Sequence, residues 1–250
     1  MAWVLDLDGV VWRGDRIIEG GAEAVEILMG RGEDVGFVTN NSYEPVAACE
    51  RRLEACGIAA AGRVITSAQV AATLVHPGER VLVCAGTGVR EALHDRDVEI
   101  VDEGDADVVL VGYDPHFDYG RMAAASRAVD RGARLLATND DPTYPAPDGA
   151  IPGCGAILAS IVTATGVAPE VAGKPYAPMV AFVAERFGPD GVVVGDRPST
   201  DGLLASRLGW RFGLVLSGVT TAADLPVQPT PALVADDLRG LVERWEVSAP

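Results

Sequence analysis

Short runs of β-favouring apolar residues alternate along the chain with stretches of helical periodicity, and few architectures accommodate that alternation. It reads first as a strand Trp3 to Leu7, a helix Gly21 to Arg31, a strand Val35 to Val38 and a helix Glu44 to Ala55. Further strands are expected at Arg80 to Cys84, Asp107 to Val111, Arg134 to Ala137, Gly191 to Val194 and Phe212 to Leu216. Val108-Val109-Leu110-Val111 and Val192-Val193-Val194 are apolar without interruption, the pattern of strands covered on both faces. The expected class is therefore α/β, a doubly wound (Rossmann-like) parallel-sheet core with helices as crossovers.

The strands are too many for one ordinary sheet, which points to two α/β units. His76-Pro77-Gly78 follows the helical pattern Ala68 to Val75, and Ala172-Gly173-Lys174-Pro175 precedes the one at 177–187, so both read as turns. They place an inserted domain at 77–173 between core segments 1–76 and 174–250. A proline-rich loop from Pro226 to Pro231 precedes a last helix at Asp236 to Trp245.

Charge narrows the partners. There are 36 Asp and Glu against 20 Lys and Arg, a formal net charge of -16. No basic run is longer than Arg51-Arg52, which argues against nucleic acid and against an anionic membrane surface. No apolar stretch approaches the ~20 residues of a spanning helix. The four cysteines, Cys49, Cys56, Cys84 and Cys154, form no C-x-x-C pair. Asp6 arrives too early for a signal-peptide apolar segment, and free thiols in a reducing cytoplasm are expected.

Four segments carry chemistry. Asp6-Leu7-Asp8-Gly9 ends a strand, where open α/β sheets bind ligands; the same residues also fit a plain Asp-Gly turn. Thr39-Asn40-Asn41-Ser42 follows a strand and precedes a helix, so its hydroxyl, amide and N–H groups suit a phosphate, while Ser42 also fits a helix cap. Lys174 is the one lysine among the 20 basic residues, which suggests a position that needs a compact ammonium rather than a planar fork. Gly195-Asp196-Arg197-Pro198-Ser199-Thr200-Asp201 again puts carboxylates at a strand end, an oxygen-rich set suited to magnesium; Asp201 also fits a helix first turn.

In that order, Asp6-x-Asp8-Gly9, Thr39-Asn40-Asn41, Lys174 and Gly195-Asp196-x-x-x-Thr200-Asp201 resemble the four motifs of the haloacid dehalogenase superfamily. The insert between the second and third motifs resembles the α/β cap of the NagD-like phosphatase branch, as do Ala137-Thr138-Asn139-Asp140 and Pro152-Gly153-Cys154-Gly155. Asp140 and Cys154 depart from that branch's usual proline and alanine. Gly202 departs from its usual aliphatic residue.

The resemblance implies a magnesium-dependent phosphatase. Asp6 would attack phosphorus to form an aspartyl phosphate, while Asp8 protonates the leaving oxygen and then activates water. Mg2+ would be held by Asp6, the Asp8 carbonyl and Asp196, with Asp201 on a metal-bound water. Thr39, the Asn40 N–H and Lys174 would hold the phosphoryl oxygens. A cap loop at Asn139, Asp140 and Asp141 would select a small phosphorylated metabolite. Monomer and homodimer both stay open.

Three other readings of the residues compete. Cys84-Ala85-Gly86-Thr87-Gly88-Val89-Arg90 has the spacing of a thiol phosphatase loop, and its Gly86 and Gly88 hint at a dinucleotide turn. The strand-end carboxylates would also serve a phosphorylatable receiver-like, or other phosphate-binding, module without turnover.

Overall fold

The computed structural model describes residues 1–94, 96–146 and 149–245. Packing divides them into two compact units, one of residues 1–39, 49–65 and 180 onward, the other of residues 40–48 and 66–179.

The first unit carries a six-stranded sheet in the order Leu233–Ala235, Arg211–Val215, Gly191–Gly195, Ala2–Leu5, Asp34–Thr39, Val64–Thr66. From Leu233–Ala235 to Asp34–Thr39 every neighbouring pair is parallel. Ala2–Leu5 and Gly191–Gly195 are buried along their whole length, as continuous apolar runs require. Leu5 lies opposite both Val194 and Phe37. The next parallel strand in the sequence lies on one side of Ala2–Leu5 and Gly191–Gly195 lies on the other, so the order switches at the first strand. Ligands of doubly wound sheets bind above such a point. Helices Gly21–Gly30 and Leu238–Trp245 pack together, and Trp245 meets Trp3 edge to face at 5.2 Å.

The second unit has its own parallel sheet, in the order Glu170–Val171, Arg134–Ala137, Val108–Val111, Arg80–Cys84, Glu99–Val101. Leu82, Val109 and Leu135 on this sheet and Leu158 and Ile161 on helix Cys154–Thr165 form one core. An antiparallel pair, Thr143–Ala146 with Gly149–Pro152, stands apart from the sheet.

The units are drawn more widely than the expected insert 77–173. Helix Ser67–Thr73 opens with a capping box between Thr66 and Gln69 and packs on helix Thr87–His94, so residues from 66 group with the second unit. The helix expected at Glu44 begins at Val46. Ser42 does not cap it: its hydroxyl is buried 2.9 Å from the Thr138 hydroxyl. Val64–Thr66, Glu99–Val101, Glu170–Val171 and Leu233–Ala235 are two- or three-residue strands, too short to show a period in the sequence. The antiparallel pair includes Pro145 and Pro152, which read as breakers.

Gly88 gives a test of packing against propensity. It lies inside helix Thr87–His94, where alanine is intrinsically better by roughly 1 kcal/mol. A Cβ there would stand 2.3 Å from the Glu44 carbonyl oxygen and 2.7 Å from that of Ser42. Main chain cannot swing aside as a side-chain tip can, so Gly88→Ala is expected to lose about 1–3 kcal/mol in urea denaturation despite its better propensity.

Candidate active site

The chain places Thr39, Asp6 and Asp196 at the carboxyl ends of three adjacent strands. Thr39 closes Asp34–Thr39, Asp6 follows Ala2–Leu5, and Asp196 follows Gly191–Gly195. The Asp6 N–H donates to the Val194 carbonyl at 2.8 Å, carrying the ladder one residue further and fixing where the Asp6 side chain leaves the sheet. The Leu7 carbonyl then accepts from the N–H groups of Val10, Val11 and Trp12 at 3.2, 2.9 and 3.2 Å. Gly9 turns there with φ of 84°, a left-handed conformation that favours glycine. The turn returns Trp12 to Asp8, and its indole Nε1–H donates to Asp8 Oδ1 at 3.1 Å.

Asp196 Oδ2 accepts from the Val219 N–H at 2.5 Å, and Asp201 Oδ2 accepts from the Arg197 N–H at 3.1 Å. Asp201 sits in a π-helical turn, Pro198–Gly202, which Arg197 opens without a side-chain cap. Glycines leave the room these carboxylates fill. A Cβ on Gly218 would lie 2.0 Å from Asp196 Oδ2, one on Gly9 2.5 Å from the same atom, and one on Gly195 2.1 Å from Asp201 Cγ.

The outcome is a buried group of three acids. Asp6, Asp196 and Asp201 each offer an oxygen within 4.8 Å of the others. Three like charges so close, away from water, repel unless a cation joins them. Ligand oxygens at ~2.1 Å from one ion stand up to about 4.2 Å apart, so small side-chain adjustments suffice for magnesium, and the all-oxygen donor set suits it. Asp8 is not in this group; its carboxylate is turned to Trp12. Trp12, Gly218 and Val219 are participants that the sequence reading missed. Trp12, four residues after Asp8, had a spacing that could have been noticed. The Gly218 segment carries no motif.

In the second unit, Lys174 and Asn40 are buried side by side. Asn40 Oδ1 accepts from the Lys174 N–H at 2.7 Å, and Asn40 Nδ2 donates to the Lys174 carbonyl at 3.1 Å. Of the expected cap loop, Asn139 is buried and donates to the Asn40 carbonyl at 2.7 Å. Asp140 is exposed and accepts from the Tyr176 hydroxyl, and Asp141 accepts from Asn40 Nδ2 at 3.1 Å.

The thiol phosphatase reading loses its nucleophile here. Cys84 is buried at the end of its strand, and burial is the main reason its thiol is pushed up to about 12, leaving almost no thiolate at neutral pH. The glycines after it make room for the chain itself. A Cβ on Gly86 would meet Tyr43 at 2.3 Å, as one on Gly88 meets Glu44, so neither is explained by a pyrophosphate.

Residues 3–99 match the family model described as haloacid dehalogenase-like hydrolase, and residues 171–241 match one described as HAD-hydrolase-like. The chain is 31% identical over 237 residues to an acid sugar phosphatase of Staphylococcus epidermidis, covering 92% of each. It belongs to the haloacid dehalogenase-like hydrolase family. Among solved structures it is similar to the p-nitrophenyl phosphatase of Archaeoglobus fulgidus, with a TM-score of 0.90, 31% identity, and 97% and 98% of the two chains covered. It is also similar to a glycerol phosphate phosphatase of Mycobacterium tuberculosis, with a TM-score of 0.88 and 32% identity over 96% of this chain and 74% of that one in its calcium complex; the same protein is solved with magnesium. The named phosphatase relatives agree with the NagD-like branch expected from the motifs, and a receiver-like module without turnover is not favoured. Among the described residues no helix is long and apolar enough to cross a membrane.

Proposed function

We propose that this protein is a magnesium-dependent phosphatase that hydrolyses a small phosphomonoester through an aspartyl phosphate. The observation that carries the reading is the buried convergence of Asp6, Asp196 and Asp201 at a switch point of a parallel sheet. Metabolites of the sugar phosphate and glycerol phosphate type are the substrate class, by likeness to the relatives that bear those names.

In the first half-reaction an Asp6 carboxylate oxygen forms a bond to phosphorus as the ester P–O bond breaks, and Asp8 gives its proton to the departing oxygen. In the second, Asp8 takes a proton from water, whose oxygen bonds to phosphorus. The bond to Asp6 breaks and inorganic phosphate leaves. The Trp12 N–H holds Asp8 Oδ1 and so orients the carboxyl group for both transfers. Asp6, Asp196 and the Asp8 carbonyl that the motif implies would hold Mg2+, with Asp201 on a metal-bound water, and the ion when bound supplies the positive charge that an anionic nucleophile meeting a dianionic phosphate requires. Thr39, the Asn40 N–H and Lys174 would hold the phosphoryl oxygens, and the segment 77–173 with Asp140 and Asp141 would act as the cap that chooses the leaving group.

The test is hydrolysis of p-nitrophenyl phosphate and a panel of sugar, glycerol, glycolate and pyridoxal phosphates by the purified chain. Turnover with magnesium that falls at least ~10-fold on chelation, and returns when the metal is restored, is expected. Turnover indifferent to chelation would remove the reading.

A further inference from the structure

An asparagine at position 40 is expected to serve a phosphate through its N–H, a role that asks nothing of its side chain. The structure gives that side chain a different occupation. Asn40 Oδ1 accepts from the Lys174 N–H at 2.7 Å while Nδ2 donates to the Lys174 carbonyl at 3.1 Å, so one primary amide grips both main-chain groups of a single residue 134 positions away. Nδ2 also donates to Asp141 Oδ2 at 3.1 Å. The Asn40 main chain is braced in turn, its carbonyl accepting from Ser67 Oγ and from Asn139 Nδ2, both at 2.7 Å. Glycine at 173 is part of the same construction, because a Cβ there would lie 2.5 Å from Asn40 Oδ1 and 2.6 Å from the Thr138 carbonyl oxygen.

Only a primary amide of this length meets the demand. It must accept from an N–H and donate to a carbonyl on the same residue, and Asn supplies both from adjacent atoms. Aspartate supplies two acceptors, leucine supplies neither, and glutamine puts the pair one methylene too far out. Lysine has four rotatable bonds beyond its Cα, so a fixed main chain is what limits where its ammonium can reach.

We propose that the Asn40 side chain is a positioning residue for Lys174, and that its further bond to Asp141 ties the placement of that lysine to the loop expected to select the substrate. The inference rests on the reading of Lys174 as the cation that holds the phosphoryl group. The phosphate contact assigned to Asn40 uses its N–H, which Asn40→Ala and Asn40→Asp both retain.

The experiment is a double-mutant cycle in the full chain with magnesium and p-nitrophenyl phosphate, comparing Asn40→Ala, Lys174→Ala and the pair. Asn40→Ala is expected to lower kcat about 10- to 100-fold, the loss typical of a misplaced active-site group. Lys174→Ala lowers it further, and the double variant falls no lower than Lys174→Ala alone, because a residue that acts through Lys174 has nothing left to place. A merely structural role would give losses that multiply, and that result overturns the proposal. Loss in Lys174→Ala with full turnover in Asn40→Ala overturns the proposal alone; full turnover in Lys174→Ala overturns the role of Lys174 and the proposal with it. If Asn40→Ala shows no cooperative melting transition, the isosteric Asn40→Asp is read in the same cycle. It keeps the shape but loses both Nδ2 bonds and brings a carboxylate to Asp141, and it is expected to show the same absence of further loss on Lys174→Ala.

Discussion

Replacing Asp6 by asparagine is expected to lower turnover by roughly 10^4-fold or more while leaving the protein folded. An amide has the shape of the carboxylate and no usable nucleophilic oxygen, and the Asp6 N–H bond to Val194 that seats the residue belongs to the main chain and survives. The stability readout separates this from simple damage. Asp6, Asp196 and Asp201 are buried with oxygens within 4.8 Å of one another, so removing one charge relieves repulsion in the metal-free protein. Metal-free Asp6→Asn should melt no lower than the parent, whereas added magnesium should raise its Tm less, because a ligand stabilises only as far as it binds the folded state. A folded, active Asp6→Asn protein would sink the nucleophile assignment. Equal magnesium stabilisation in both proteins would remove Asp6 from the metal.

What the sequence discloses about this site follows the physics of strand ends. Val192-Val193-Val194 has to be a doubly covered strand, and a carboxylate just beyond it has to stand at the sheet's carboxyl edge, so Asp6 and Asp196 were legible without coordinates. That Ala2–Leu5 and Gly191–Gly195 are neighbours was not, since the 185 intervening residues contain many strands and nothing local dictates their pairing. Asn40 shows a different limit. Its motif pointed to a phosphate, and the motif hides a side chain engaged with a residue 134 positions away. Ser42 also fitted a cap because a Ser before a helix usually is one; here Thr138 takes the hydroxyl and the helix starts later. In each case the sequence showed a polar group, and tertiary packing decided the partner of its side chain.

Gly218→Ala is expected to weaken magnesium binding about 10- to 100-fold and to lower turnover at limiting metal by a similar factor, although Gly218 carries no functional group. Its added Cβ would stand 2.0 Å from Asp196 Oδ2 and 2.6 Å from Asp196 Cβ, far inside contact distance. Either the carboxylate rotates off the Asp6 and Asp201 oxygens, or the Ser217 to Val219 segment withdraws and takes with it the Val219 N–H that holds Oδ2 at 2.5 Å. Both routes displace the Asp196 carboxylate while the sheet beneath is untouched, so excess magnesium should restore part of the turnover. Ser217→Ala is the matched control: it deletes only the hydroxyl bond to the Gly9 carbonyl, at 2.6 Å, and adds no atom near Asp196. Magnesium titrations of the two variants, by activity and by Tm, should therefore diverge, with Ser217→Ala close to the parent. If Gly218→Ala keeps the parent's metal dependence, the Asp196 carboxylate is not the oxygen that sets it, and the buried acid group loses its claim to the ion.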